Sequence, residues 1–297
     1  MVGSALGLAL GDALGAPYEF LRSNNVPDPI PALERPWMHL PPGSTTDDTA
    51  LARNLMRSLA ERGGLDLDEL LRRHLEWLRS DPPDVGSLTG RVLRLVERGE
   101  DAATVAREVW EQRGPEVSAG NGSVMYCAPL GLAYANRPRE LPELAPALSA
   151  LTHYDGRCRT AVLAVTLVVA ALVRGEPAEA AVEAALAVVG DRDGGEELEF
   201  LIGAIGRSRP IDGPDQGFCL FTAGSPSRRC SGAATPRASC GASSGSAGTP
   251  TRTGPWRARC SALGTGWRGS PRAGSSGSRA ATRSAPRPRR SSRSPPP

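Results

Sequence analysis

Lysine is absent from this 297-residue chain, so all 35 basic residues are arginine. Aromatic residues are scarce, at 4%, which leaves leucine, alanine and valine to fill any core. No stretch is expected to span a membrane. The most apolar run, 160–173, is shorter than the ~20 residues a span needs and is bounded by Arg157, Arg159 and Arg174. It reads as a buried helix. The apolar opening, residues 1–14, lacks a basic leader and is interrupted by Asp12, so a secretory signal is not expected. Cys127, Cys158, Cys219, Cys230, Cys240 and Cys260 show neither metal-ligand spacing nor the density of a disulfide framework. A reduced cytoplasm is the expected setting.

Acidic residues are missing from 225–297, where only Ser, Pro, Arg, Cys, Gly, Ala, Thr, Trp and a lone Leu263 occur. That tail holds 14 of the 35 arginines and none of the 32 acidic residues, which leaves residues 1–224 with a formal charge of −11. The whole-chain value of +3 describes neither part. An acidic body argues against a nucleic-acid groove within it, and the basic tail is the one candidate for binding a polyanion. The chain therefore divides into a body, 1–224, and a low-complexity basic tail, 225–297, expected to be disordered.

Strand-like alternation is also wanting, and the body reads as helix after helix. Helical patterns are expected at about 3–14, 47–62, 68–79, 86–98, 102–111, 129–135, 143–151, 157–173, 178–189 and 196–207. Gly11-Asp12 and Gly15-Ala16-Pro17 mark the end of the first. Residues 21–44 are proline-rich and irregular, suited to a flap over a site. The fold class is all-α.

Thr45-Thr46-Asp47-Asp48-Thr49 concentrates hydroxyls and adjacent carboxylates at the start of a helix. Hard oxygen donors at that density suit a divalent cation, and they equally suit an N-cap that satisfies the orphan N–H groups of the first turn. The glycine-rich 117–123 lies before a helical segment, where backbone N–H groups can approach an anion, or where the chain simply turns. His153, before the long apolar helix, is open to three roles: cap, core histidine or ligand contact. Asp84 stands at another helix start, where a cap is the simplest reading.

The order and local wording of these segments resemble the ADP-ribosylglycohydrolase family. The resemblance rests on the 7–15 stretch Gly-Leu-Ala-Leu-Gly-Asp-Ala-Leu-Gly, Thr46-Asp47-Asp48-Thr49, Asp84-Val85-Gly86, Gly120-Asn121-Gly122-Ser123-Val124-Met125 and Thr152-His153. It covers roughly residues 3–224. It implies an all-α hydrolase acting on the glycosidic bond between ADP-ribose and a modified protein side chain, or on a small ADP-ribose derivative. It further implies a binuclear Mg²⁺ or Mn²⁺ site, with Thr46, Asp47 and Asp48 as ligands and Glu19 close by. Ser118, Gly120, Asn121 and Gly122 would form a diphosphate-binding loop, His153 would contact the nucleotide, and Asp84 would face the distal ribose. Asp84 and Glu19 are thus the expected catalytic carboxylates.

Three departures stand out. Tyr126 replaces the family's usual Arg, Gly156 replaces its usual Pro, and the second metal motif, Gly-Asp-x-Asp-Thr near the C-terminus, is absent. The arginine-only, Ala/Gly/Pro-rich composition looks GC-rich in coding, and a neighbouring reading frame across 247–263 permits Gly-Asp-Thr-Asp-Thr followed by an apolar helix. A frameshift in or near 221–227 would explain the missing half of the metal shell; a genuine disordered Arg/Ser/Pro arm is the alternative. Two function classes follow. One is an ADP-ribosyl hydrolase by ancestry, inactive as written if the frame is shifted; the other is a non-catalytic ADP-ribose-binding remnant, or a polyanion binder acting through its tail.

Overall fold

A computed structural model describes residues 2–27, 30, 31, 33–204 and 216–224, which lie within one unit, Met1–Pro250. Ten α-helices occur among them: α1 Val2–Gly15, α2 Asp47–Arg62, α3 Leu67–Arg79, α4 Ser87–Glu97, α5 Val105–Arg113, α6 Ala128–Ala133, α7 Leu141–Ala150, α8 Gly156–Val173, α9 Ala178–Val189 and α10 Gly195–Ala204. The described residues contain no β-strand, only isolated bridges at Trp37–Leu40 and Gly120–Phe218. The all-α expectation holds. The tail, 225–297, lies outside the described residues, as does the expected end of the last helix beyond Ala204.

Helix ends differ from expectation where a local hydrogen bond or proline resets them. α1 runs through Gly11-Asp12 and stops at Gly15, because Pro17 sits in a following 3₁₀ turn. α5 starts at Val105 rather than near 102, since Asp101 accepts from the Ala103 N–H (3.1 Å) and holds a turn ahead of it. α7 begins at Leu141 with Pro142 in its first turn, where a missing N–H costs nothing. The glycine-rich loop does not run straight into a helix: residues 122–126 are turns, and α6 starts only at Ala128.

Packing centres on α8, which touches α6, α7, α9 and α10. Its sequence is apolar all round, so it suits a position covered on several sides. Cys158, Ala161, Val162, Leu163 and Ala170 are fully buried, joined from neighbouring helices by Leu130, Leu141 and Leu148. Each such leucine contributes about 1.5–3 kcal/mol by leaving water. α8 is long and apolar enough to cross a membrane by length and composition, but 56% of it is already buried by the rest of the chain. A Cβ on Gly131 would lie 2.5 Å from the Thr166 carbonyl oxygen. Glycine there is what lets α6 cross α8 at backbone distance.

Candidate active site

The N-terminus of α2 is both a helix cap and the focus of an acidic cluster. Thr46 has extended backbone and accepts from the Asp48 N–H through Oγ1 (3.3 Å), an N-cap bond. Asp47 and Asp48 fill the first turn, where the helix dipole favours negative charge. The cap and the donor-rich cluster are therefore the same residues, and neither reading displaces the other.

Asp12 reaches this turn from α1. Its Oδ1 accepts the Thr46 hydroxyl (2.8 Å), and its Oδ2 accepts the Thr46 N–H (2.9 Å), the Thr49 N–H (3.2 Å) and the Thr49 hydroxyl (2.5 Å). The segment before α4 arrives from the other side: Asp47 Oδ2 accepts the Gly86 N–H (3.1 Å), and the Asp47 N–H points at Asp84 Oδ2 (3.5 Å). Glu19 follows the 3₁₀ turn Ala16–Tyr18 and joins the same field of charge.

Crowding shows in the titration of these groups. Burial, then repulsion from Asp12 and Glu19, lifts Asp48 to about 7. Burial of the carboxyl, then Asp84 and Asp12, lifts Glu19 to about 7, although the residue as a whole stays exposed. Asp47 is raised as well, chiefly by burial and then by Asp84, with the Gly86 N–H opposing. Cation-free, the cluster resists full ionisation. Among the described residues, no three His, Cys, Asp or Glu side chains converge closely enough to hold a metal ion. The donor chemistry nevertheless fits a hard divalent cation, because Thr46, Asp47 and Asp48 offer only oxygen.

The glycine loop and His153 form the neighbouring wall. A Cβ on Gly122 would lie 2.8 Å from His153 Nε2, and one on Gly120 3.6 Å from the same nitrogen. His153 is buried, bonds Thr152 Oγ1 through Nδ1 (2.9 Å), and is pushed down to about 4 by burial, so its ring is neutral near pH 7. Its expected roles narrow accordingly: Asp155, not His153, caps α8, accepting the Arg157 N–H (3.0 Å). Ser118 donates its hydroxyl to the Gly114 carbonyl (2.7 Å), which commits that group to the loop's own backbone. Among the described residues, nothing accepts from the N–H groups of Gly122 and Ser123.

Thr89 connects the two walls. Its hydroxyl oxygen lies 3.7 Å from where a Gly86 Cβ would be and 3.1 Å from a Gly122 Cβ. Thus Asp47, Gly86, Thr89, Gly122 and His153 make a continuous line from the carboxylates to the loop. Sequence reasoning missed Thr89, and it left Asp12 evenly between a helix cap and a functional carboxylate. No local pattern marks Thr89, whose place between the walls comes from tertiary proximity to Gly122.

Sequence reasoning also missed residues 216–224. The Asn121 N–H donates to Gly217 O (2.9 Å) and the Cys219 N–H to Ala119 O (3.0 Å), a short pairing that braces the glycine loop. Gln216 meanwhile accepts the Phe20 N–H at Oε1 (2.6 Å) and donates to Leu21 O (3.0 Å), directly after Glu19. Phe20 has φ +58°, a conformation uncommon outside glycine, so this clamp offsets local strain. Single hydrogen bonds between distant loops leave no periodic mark in a sequence.

The chain is 34% identical over 168 residues to the ADP-ribosyl-(dinitrogen reductase) glycohydrolase of Rhodospirillum rubrum, 54% of each chain. It is 31% identical over 159 residues to the ADP-ribosylhydrolase ARH3 of Xenopus tropicalis, 51% of this chain and 44% of that one. It spans about half the length of these curated relatives. A solved ADP-ribosylglycohydrolase-related protein complex superposes with a TM-score of 0.60 at 32% identity, covering 76% of this chain and 73% of the other. The family match runs over residues 1–243, past the compositional break at 224. With fold, site wording and sequence all in accord, the chain belongs to the ADP-ribosylglycohydrolase family.

Proposed function

We propose that this body is built as a divalent-cation-dependent hydrolase that releases ADP-ribose from a modified protein side chain or a small ADP-ribose derivative. The observation that carries the reading is the unbroken line from Asp47 through Thr89 to Gly122 and His153. It sets a carboxylate cluster beside a loop whose Gly122 and Ser123 N–H groups have no acceptor among the described residues, as a molecule with a diphosphate at one end and a reacting ribose at the other requires.

Each part has a physical task. The Gly122 and Ser123 N–H groups offer donors to phosphate oxygens, while His153, neutral and walled in, presents Nε2 to the same loop. Thr46, Asp47 and Asp48 would hold Mg²⁺ or Mn²⁺, which when bound orients ribose hydroxyls and lowers the pKa of water. Cleavage at the anomeric carbon builds oxocarbenium character, which Asp84 and Glu19 would stabilise, one of them taking the proton of the attacking water. The free, buried thiols of Cys127, Cys158 and Cys219 suit a reducing cytoplasm.

A second reading rests on one sequence feature, the missing Gly-Asp-x-Asp-Thr segment: the chain as written would be a remnant that binds ADP-ribose without turning it over. One experiment separates the two. The full chain is incubated with ADP-ribosyl-arginine with and without Mn²⁺, and free ADP-ribose is measured beside ADP-ribose binding by calorimetry. Cation-dependent release supports the hydrolase; binding without release supports the remnant; neither sinks both. Salt-sensitive RNA binding lost on deleting 225–297 would instead assign the tail a role.

A further inference from the structure

The Thr46 hydroxyl has one proton and two lone pairs, and its neighbours decide where each goes. Two carboxylates compete for the proton, Asp12 Oδ1 at 2.8 Å and Asp48 Oδ2 at 3.4 Å. The shorter contact wins, so the proton points at Asp12. One lone pair accepts the Asp48 N–H at 3.3 Å. The other is left over. A hydroxyl can serve a cation only through a lone pair, with its proton turned away. Asp12 itself is fixed in place, since its Oδ2 holds three further donors, the N–H groups of Thr46 and Thr49 and the Thr49 hydroxyl.

We propose that Asp12 is a positioning residue for the cation site: by accepting the Thr46 proton through Oδ1, it keeps a Thr46 lone pair available to a divalent cation. The inference rests on the reading of Thr46, Asp47 and Asp48 as cation donors, and it gives the α1 carboxylate a task distinct from coordination. It also explains why Asp12 interrupts an otherwise apolar helix. A carboxylate oxygen cannot donate, so it can only receive the proton.

Asp12→Asn separates this role from simple scaffolding. The three donors at Oδ2 require an oxygen there, so the amide nitrogen of Asn would face Thr46 Oγ1 and donate to it. The Thr46 lone pair would be consumed and its proton turned outward, while the backbone bonds survive. The experiment titrates the full chain and its variants with Mn²⁺ by electron paramagnetic resonance, with Tb³⁺ luminescence as a tighter-binding probe for weakened variants. Asp12→Asn should melt within a few degrees of the parent when cation-free and lose about tenfold in Mn²⁺ affinity, the scale of an outer-shell change. In a Thr46→Val background the same substitution should change affinity by less than about twofold, as for independent sites. Equal losses in both backgrounds would mean that Asp12 acts through its charge alone and would overturn the proposal. So would a collapse of the Asp12→Asn melt, which would make Asp12 a scaffold residue. A parent chain that takes up neither Mn²⁺ nor Tb³⁺ would overturn the cation reading itself, and this role with it.

Discussion

Gly122 lies so close to His153 that any side chain at 122 would meet the imidazole, its Cβ 2.7 Å from Cε1 and 2.8 Å from Nε2. Glycine is required there by contact, not by backbone angle. Gly122→Ala should force the ring or the loop aside at a cost of about 1–3 kcal/mol, the range for overpacking. The affected groups are those proposed to meet the diphosphate, so ADP-ribose affinity should fall by about tenfold, or ~1.4 kcal/mol. Calorimetry with ADP-ribose checks this, and unchanged affinity would remove Gly122 from the site.

Asp48 should destabilise the cation-free chain at alkaline pH. Its folded pKa of about 7 stands above the ordinary 3.8, so the native state holds a proton that the unfolded state has released. Stability from this group is complete below about 3.8 and is lost as pH rises through 7. Asp48→Asn removes the penalty. In EDTA at pH 8 the variant should be more stable than the parent by ~2 kcal/mol, a figure kept small because Asp48 still meets some solvent. Near pH 4 the two should melt together.

His74 works with the opposite sign. It is fully buried, accepts the Asn54 Nδ2 N–H at its Nδ1 (3.3 Å), stacks edge-on to Tyr126, and burial pushes its pKa down from 6.5 to about 3. The unfolded chain therefore takes the proton first, and stability falls as pH drops from 6.5 toward 3. His74→Leu should abolish that component. The parent's stability relative to the variant should decline by about 1.4 kcal/mol per pH unit over this window. Urea melts at several pH values below 6.5 would show the slope, and parallel curves would disprove it.

Much of this molecule was legible in its sequence because periodicity and caps are local. The 47–62 helix was placed at both ends, since Thr46 and Arg62-Gly63-Gly64 mark them plainly. The grouping of Asp47, Asp84, Gly122 and His153 followed from family resemblance, and in the structure Asp47, Gly86, Thr89, Gly122 and His153 are successive neighbours. Three things escaped: Asp12 as the acceptor of four bonds, Thr89 as the link, and 216–224 as the brace. All depend on tertiary proximity between stretches with no pattern of their own. The start of α6, by contrast, was expected at 129 and falls at Ala128, with Pro129 in its first turn as the local mark.

Gln216 should matter to Glu19 from a distance. Its side chain bonds both Phe20 N and Leu21 O, holding Phe20 at positive φ immediately after Glu19. Gln216→Ala should let that turn relax at a cost of about 1–2 kcal/mol from the lost hydrogen bonds. Mn²⁺ affinity should change little, while any turnover should drop through displacement of Glu19. A fall in cation affinity equal to that for Asp47→Asn would place Gln216 in the wrong role.

Resequencing the gene across codons 215–265 decides what the natural protein is. The last described residues, 216–224, are well integrated: Cys219, Leu220 and Ala223 are buried, and the segment braces the glycine loop. Beyond them the chain changes to a composition with no acidic residue, while a neighbouring frame permits the Gly-Asp-Thr-Asp-Thr that the metal reading lacks. A lost or gained base near 221–227 is therefore expected. The restored chain should release ADP-ribose from its arginine adduct only with Mg²⁺ or Mn²⁺, and Asp47→Asn should reduce that release by at least about a hundredfold, as loss of a transition-state contact does. A confirmed frame would instead leave half a cation shell, and ADP-ribose binding without release becomes the expected behaviour of this chain.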